Sequence, residues 1–105
     1  MIKNIVLTVL FSLGFSSLAV GETFLVDVRT PEEFANEHIS GALNVEYQNV
    51  VSWAEKNNIK PDDEIYVYCR SGKRAETAKL SLNEKGYTKV TNLGGIENVK
   101  ASIGR

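Results

Sequence analysis

Two stretches of this sequence, Thr23 to Val28 (TFLVDV) and Glu64 to Cys69 (EIYVYC), are apolar without alternating, and they constrain the fold more than any other feature. A strand with one wet face alternates apolar and polar residues. Runs rich in Val, Ile, Tyr and Phe that lack that period suit strands covered on both faces, as in parallel sheets. Parallel strands need crossover connections, usually helical, and the intervening segments supply them. Thr30-Pro31-Glu32-Glu33 combines a capping threonine, a proline at the first helical position and a glutamate three residues after the cap, so a short helix is predicted through Phe34 and Ala35. Tyr47, Val50, Val51 and Ala54 fall at helical spacing, and Lys60-Pro61-Asp62-Asp63 turns the chain before the second strand. Ala75, Ala78 and Leu82 mark one face of a third helix that ends at Gly86, a residue suited to a left-handed C-cap. Lys89 to Leu93 reads as a weaker strand, followed by Gly94-Gly95 and a short C-terminal helix. The expected architecture is an α/β three-layer sandwich: a small, mainly parallel sheet with helices on both faces and right-handed crossovers. Sites in such folds form beyond the carboxyl ends of the strands, where Asp27, Arg29 and Cys69 fall.

A length of 105 residues suits one domain. The first 21 residues do not fit its pattern: Lys3 precedes an apolar run from Ile5, and small residues gather around Ala19 to Gly21. That order is a secretory signal, with cleavage after Gly21 or after Ala19, leaving residues 22–105 as the single exported domain. The alternative, an uncleaved anchor, is disfavoured because the run is short and broken by Thr8, Ser12, Gly14, Ser16 and Ser17. No stable membrane association is expected after cleavage. The charge balance is 12 basic against 13 acidic residues, and the leader removes one of the basic ones, Lys3. A mildly acidic domain argues against a nucleic-acid partner.

The chain has one cysteine, Cys69, at the end of the second apolar run. Exported domains usually use cysteines in disulfide pairs, so an unpaired one points to an intermolecular bridge or to a thiol kept for chemistry. Cys69 is followed by Arg70-Ser71-Gly72-Lys73-Arg74, and a helix begins within about five residues, so the loop must curl tightly. Gly72 permits a backbone conformation closed to other residues, and such a curl turns consecutive N–H groups toward one point. If that point is the sulfur, the loop amides and the positive end of the helix favour thiolate over thiol. Basic residues at a helix N-terminus oppose its dipole, which suggests that an anion binds there.

Three reaction classes use such a cysteine. A Cys-His hydrolase would need His38 as base, but His38 lies in a turn where a structural hydrogen bond to backbone is the expected role. A cysteine phosphatase places arginine after five intervening residues; here Arg74 falls one place early and Ala75 takes that position. The shorter loop suits a smaller sulfur species. Attack of a thiolate on the outer sulfur of thiosulfate expels sulfite, which leaves without protonation, so the reaction calls for no general base, metal or cofactor. A redox role, with Cys69 in mixed disulfides on an interaction module, stays open beside it.

Leu25 to Val45, Tyr68 to Ala75 and Gly86 to Ile96 resemble, in order and spacing, the three signature stretches of single-domain rhodaneses, most closely the periplasmic phage-shock-protein-E type of thiosulfate sulfurtransferase. The resemblance implies a periplasmic enzyme in which Cys69 is nucleophile and sulfur carrier. A small anionic donor would load it, and cyanide, a thiol or an unknown protein acceptor would unload it. It further implies that the amides from Arg70 through Ser71, Gly72 and Lys73 to Arg74 stabilise the persulfide. The side chains of Arg70, Lys73 and Arg74 would draw in the donor. Asp27 and Arg29 match the family's Asp-x-Arg and are read as structural support of the site, because a carboxylate in an apolar run needs hydrogen bonds or a cation such as Arg29 or Arg74. The sequence departs from the family at Glu37, where a glycine is common, and after Gly95, where a tryptophan is common; Trp53 lies elsewhere and is read as core packing. The strand and helix that usually precede the first signature are not expected here.

Overall fold

A computed structural model describes residues 21–103. The leader reading falls almost wholly outside them, in residues 1–20. Four parallel strands form one sheet: β1 (Thr23–Asp27), β2 (Leu43–Asn44), β3 (Glu64–Cys69) and β4 (Val90–Gly95), in the spatial order β2-β1-β3-β4. The helices between and after them are α1 (Pro31–Asn36), α2 (Val50–Lys56) entered through a 3₁₀ turn (Tyr47–Asn49), α3 (Lys73–Glu84) and α4 (Ile96–Ile103).

The absence of alternation in β1 and β3 has the expected cause. Phe24, Val26, Val28, Ile65, Val67 and Cys69 face one layer, packed with Val50 and Ala54 of α2 and Ala75, Ala78 and Leu82 of α3. Leu25 and Tyr68 face the other, where Ile39 and, from α4, Ile96 and Val99 cover them. Each face of the two central strands therefore has its own core. Trp53 packs against the first core, with its ring edge-on to Phe24 at 5.8 Å, as its reading from sequence required.

Local signals account for most boundaries. Thr30 Oγ1 accepts from Glu33 N–H at 3.2 Å and Glu33 Oε1 accepts from Thr30 N–H at 3.0 Å, a complete capping box on α1. Gly86, at φ +97°, follows the end of α3. Two differences from the sequence reading matter. The short edge strand β2 has too few residues to show a period, and it exists because Val26 and Asp27 pair with Leu43 and Asn44. Gly94 and Gly95 do not follow β4 but belong to it, and Gly95 pairs with Cys69 beyond an irregularity in the ladder. Among the described residues no helix is long and apolar enough to cross a membrane.

The strand order fixes where a site can form. From β1 the chain steps outward to β2, then crosses back to β3 on the other side, so the direction of winding reverses between β1 and β3. A crevice opens at such a switch point beyond the carboxyl ends of the strands. Asp27 ends β1 and Cys69 ends β3.

Candidate active site

Cys69 is 1% exposed, and its Sγ accepts hydrogen bonds from Gly72 N–H at 2.9 Å and Ala75 N–H at 3.4 Å. The sulfur thereby acts as the cap of α3, a helix with no side-chain cap at its N-cap residue, Gly72. Ala75 is the third residue of that helix, and its N–H is one of those left without an intrahelical partner. The sequence reading assigned the cradle to the amides of Arg70 to Arg74. The structure directs Gly72 and, from just outside that span, Ala75 at the sulfur, because a cap acceptor is met by the third residue of the first turn.

The curl needs its glycines. Gly72 sits at φ +99° and ψ −12°, in the left-handed region, and a Cβ there would lie 3.3 Å from Gly94 Cα. A Cβ on Gly95 would collide with the carbonyl oxygen of Arg70. The loop thus lies directly against the backbone of β4. Asn92, also in β4, fastens it: its Nδ2 donates to Gly72 O and to Glu76 Oε1, both at 3.0 Å, while its Oδ1 accepts from Gly94 N–H at 2.8 Å. Sequence reasoning missed Asn92, which carries no signal except its place two residues before the glycine pair.

Of the three loop cations, Arg70 and Lys73 are exposed and make no ion pair among the described residues, whereas Arg74 is half-buried and committed. Its Nη1 and Nη2 donate to Glu33 Oε1 and Oε2 at 2.8 and 3.1 Å. Hydrogen bonding from Arg74, aided by Thr30, holds the Glu33 carboxyl well below its ordinary 4.5, at about 2, and Glu33 in turn raises Arg74. The expected cost of basic residues at the start of α3 is therefore partly met inside the protein, by a carboxylate that the sequence marked only as a capping residue. Ser71 is exposed on the loop.

Where β1 ends, with Asp27 opposite Tyr68 of β3, lies a buried ion pair. Asp27 is fully buried and Arg29 is 5% exposed; Arg29 Nε and Nη2 donate to the Asp27 carboxylate at 2.8 to 3.1 Å, and Arg29 N–H adds a bond of 2.9 Å. Arg29 Nη2 also donates to Glu37 O at 2.6 Å, and its guanidinium lies over the Tyr68 ring at 5.9 Å. These bonds engage Nε and Nη2 of the guanidinium, which holds Arg29 against Asp27 at the end of β1. Tyr68 Oη accepts from Ile39 N–H at 3.0 Å, and burial, with Asp27 close by, pushes the phenol up to about 12. His38 does not join the site: its Nδ1 donates to Phe34 O at 2.8 Å and its ring stacks on Phe34.

Beside the loop opens a cleft of about 520 Å³, lined by Arg29, Glu33, Asn36, Glu37, Arg70, Ile96 and Glu97. Among the described residues no cluster of His, Cys, Asp and Glu is placed to hold a metal. The arrangement offers a lone sulfur met by two preset N–H donors, free cations at the rim and a solvent cleft alongside.

Comparison with known proteins agrees with this geometry. Residues 16–102 match the rhodanese-like domain family. The thiosulfate sulfurtransferase PspE of Escherichia coli is 34% identical over 88 residues, covering 84% of this chain and 85% of that protein. A solved rhodanese with anions from E. coli superposes with a TM-score of 0.68 at 36% identity, over 72% of this chain and 89% of its own. The human single-domain sulfurtransferase TSTD1 gives a TM-score of 0.60 at 31% identity, over 70% and 76%.

Proposed function

Because the chain belongs to the rhodanese-like domain family of sulfurtransferases, we propose that it moves sulfane sulfur from thiosulfate to cyanide or a thiol through a persulfide on Cys69. The observation that carries this reading is the pair of hydrogen bonds from Gly72 and Ala75 N–H to Cys69 Sγ. Donors set in place before substrate arrives stabilise a sulfur anion without reorganisation, whether that anion is thiolate or persulfide.

The first half-reaction forms a bond between Sγ and the outer sulfur of thiosulfate and breaks the bond from that sulfur to the sulfite group. The electron pair leaves with sulfite, and the persulfide keeps one negative charge. In the second half-reaction cyanide attacks the outer sulfur and departs as thiocyanate, returning the thiolate. No proton moves in either step, which fits a site where His38 is engaged elsewhere. Arg70 and Lys73 at the rim draw in the dianionic donor, and Ser71 and Gly72 line its path. The depth of Cys69 favours this reading over a mixed disulfide, because a small donor reaches a sulfur that a protein thiol cannot approach in line. The signal pattern of residues 1–21 supports export to the periplasm.

Thiocyanate formation from thiosulfate and cyanide tests the reaction. The mature chain should turn over and Cys69→Ser should be inactive; equal rates for the two proteins would refute the proposal.

A further inference from the structure

Arg74 occupies the position at which the loop would be expected to present a cation to its anionic substrate, yet its charge is matched at close range. Glu33 meets both terminal nitrogens of Arg74, and both side chains are half-buried. The carboxylate is itself held by Thr30, through the backbone N–H at 3.0 Å and the hydroxyl at 3.2 Å, so the capping box of α1 keeps it in place. Glu33 also lines the cleft beside the loop, together with Arg70. Arg74 directly precedes Ala75, whose N–H meets Cys69 Sγ, so its backbone belongs to the turn of α3 that caps the sulfur.

We propose that Glu33 is a positioning residue that sets the anion affinity of the site: by pairing with Arg74 it offsets one of the three loop cations and holds the affinity for a dianionic donor below what three uncompensated cations would give. The donor's identity rests on the function proposed above, but the anion affinity does not. A dianion arriving at the cysteine loop meets the charges of Arg70 and Lys73 with little net contribution from Arg74. Removing the carboxylate while keeping a hydrogen-bonding oxygen, as in Glu33→Gln, uncovers that contribution and retains a residue type allowed in the capping box.

The test compares two reactions of the same sulfur in wild type, Glu33→Gln, Arg74→Gln and the double variant: persulfide formation with thiosulfate, and alkylation by neutral iodoacetamide. Glu33→Gln should raise the ratio of the two rate constants by about three- to tenfold at low salt, with the gain shrinking as ionic strength rises. Arg74→Gln, which leaves Glu33 uncompensated, should lower the ratio by a similar factor, and the double variant should return close to wild type. A purely structural pair would depress both single variants and spare neither reaction. An unchanged or lowered ratio in folded Glu33→Gln would overturn the proposal. If Glu33→Gln does not fold, a double variant no nearer to wild type than Arg74→Gln would do so. Should wild type take up no sulfur from thiosulfate, the function proposed above fails on its own. The affinity is then read from protection of Cys69 against iodoacetamide by thiosulfate, which should tighten in Glu33→Gln; equal protection would refute the role of Glu33.

Discussion

Asn92 donates a hydrogen bond of 3.0 Å to the carbonyl of Gly72, a residue 20 positions earlier whose own N–H points at the sulfur of Cys69. The strand therefore holds the loop by the same residue that the loop uses to hold the sulfur. Asn92→Ala removes this bond, the one from Gly94 N–H and an exposed one to Glu76 Oε1 that contributes little, leaving Gly72 O bonded to Glu76 N–H alone. Net hydrogen bonds contribute about 1 kcal/mol each, so a loss of about 1–2 kcal/mol is expected in urea unfolding. Persulfide loading should fall in the protein that remains folded. Unchanged loading would show that Asn92 supports the fold and not the cradle.

The glycines make a stricter demand. Gly72→Ala places a side chain at φ +99° and 3.3 Å from Gly94, and the left-handed backbone alone costs about 1–2 kcal/mol. Gly95→Ala pushes a methyl group into the Arg70 carbonyl, so the loop or the strand must move. Both variants should load sulfur more slowly than wild type at a temperature where both are folded. Normal loading by Gly72→Ala would contradict the account of the curl.

Asp27 and Arg29 predict a different profile. Breaking a buried pair by removing one partner strands a charge, at about 3–5 kcal/mol. Asp27→Ala should therefore lose stability on that scale in urea unfolding, far more than Asn92→Ala. A loss under about 1 kcal/mol would mean that Arg29 finds another partner, a result at odds with its burial.

Acid should unpick the Glu33–Arg74 pair. The folded value of Glu33, about 2, lies below its ordinary 4.5, so the stabilisation it gives is complete above the ordinary value and disappears as pH falls toward the folded one. Melting temperature measured down this range should drop more steeply for wild type than for Glu33→Gln, with the two curves converging near the folded value. Parallel curves would show that the pair contributes nothing to stability.

Most of the fold was legible in the sequence for physical reasons that the structure displays. β1 and β3 lack alternation because two separate cores cover their faces, and Thr30 and Gly86 mark helix ends through bonds and backbone angles local to them. Cys69 and its loop were legible too, since a lone cysteine, a glycine and a run of cations occur together within six residues. What stayed hidden depends on distant parts of the chain. Glu33 reaches Arg74 across 41 positions, Asn92 reaches Gly72 across 20, and β2 is defined by its partner and not by its two residues. The resemblance implied a role for Arg74 in drawing in the donor, and gave no sign that packing also pairs it with Glu33.

Intact mass of the mature protein after incubation with thiosulfate tests the central claim most directly. The account predicts the gain of one sulfur atom, its removal by cyanide, and no gain in Cys69→Ser. A folded wild-type protein that gains no sulfur, or a gain that persists without Cys69, would contradict it.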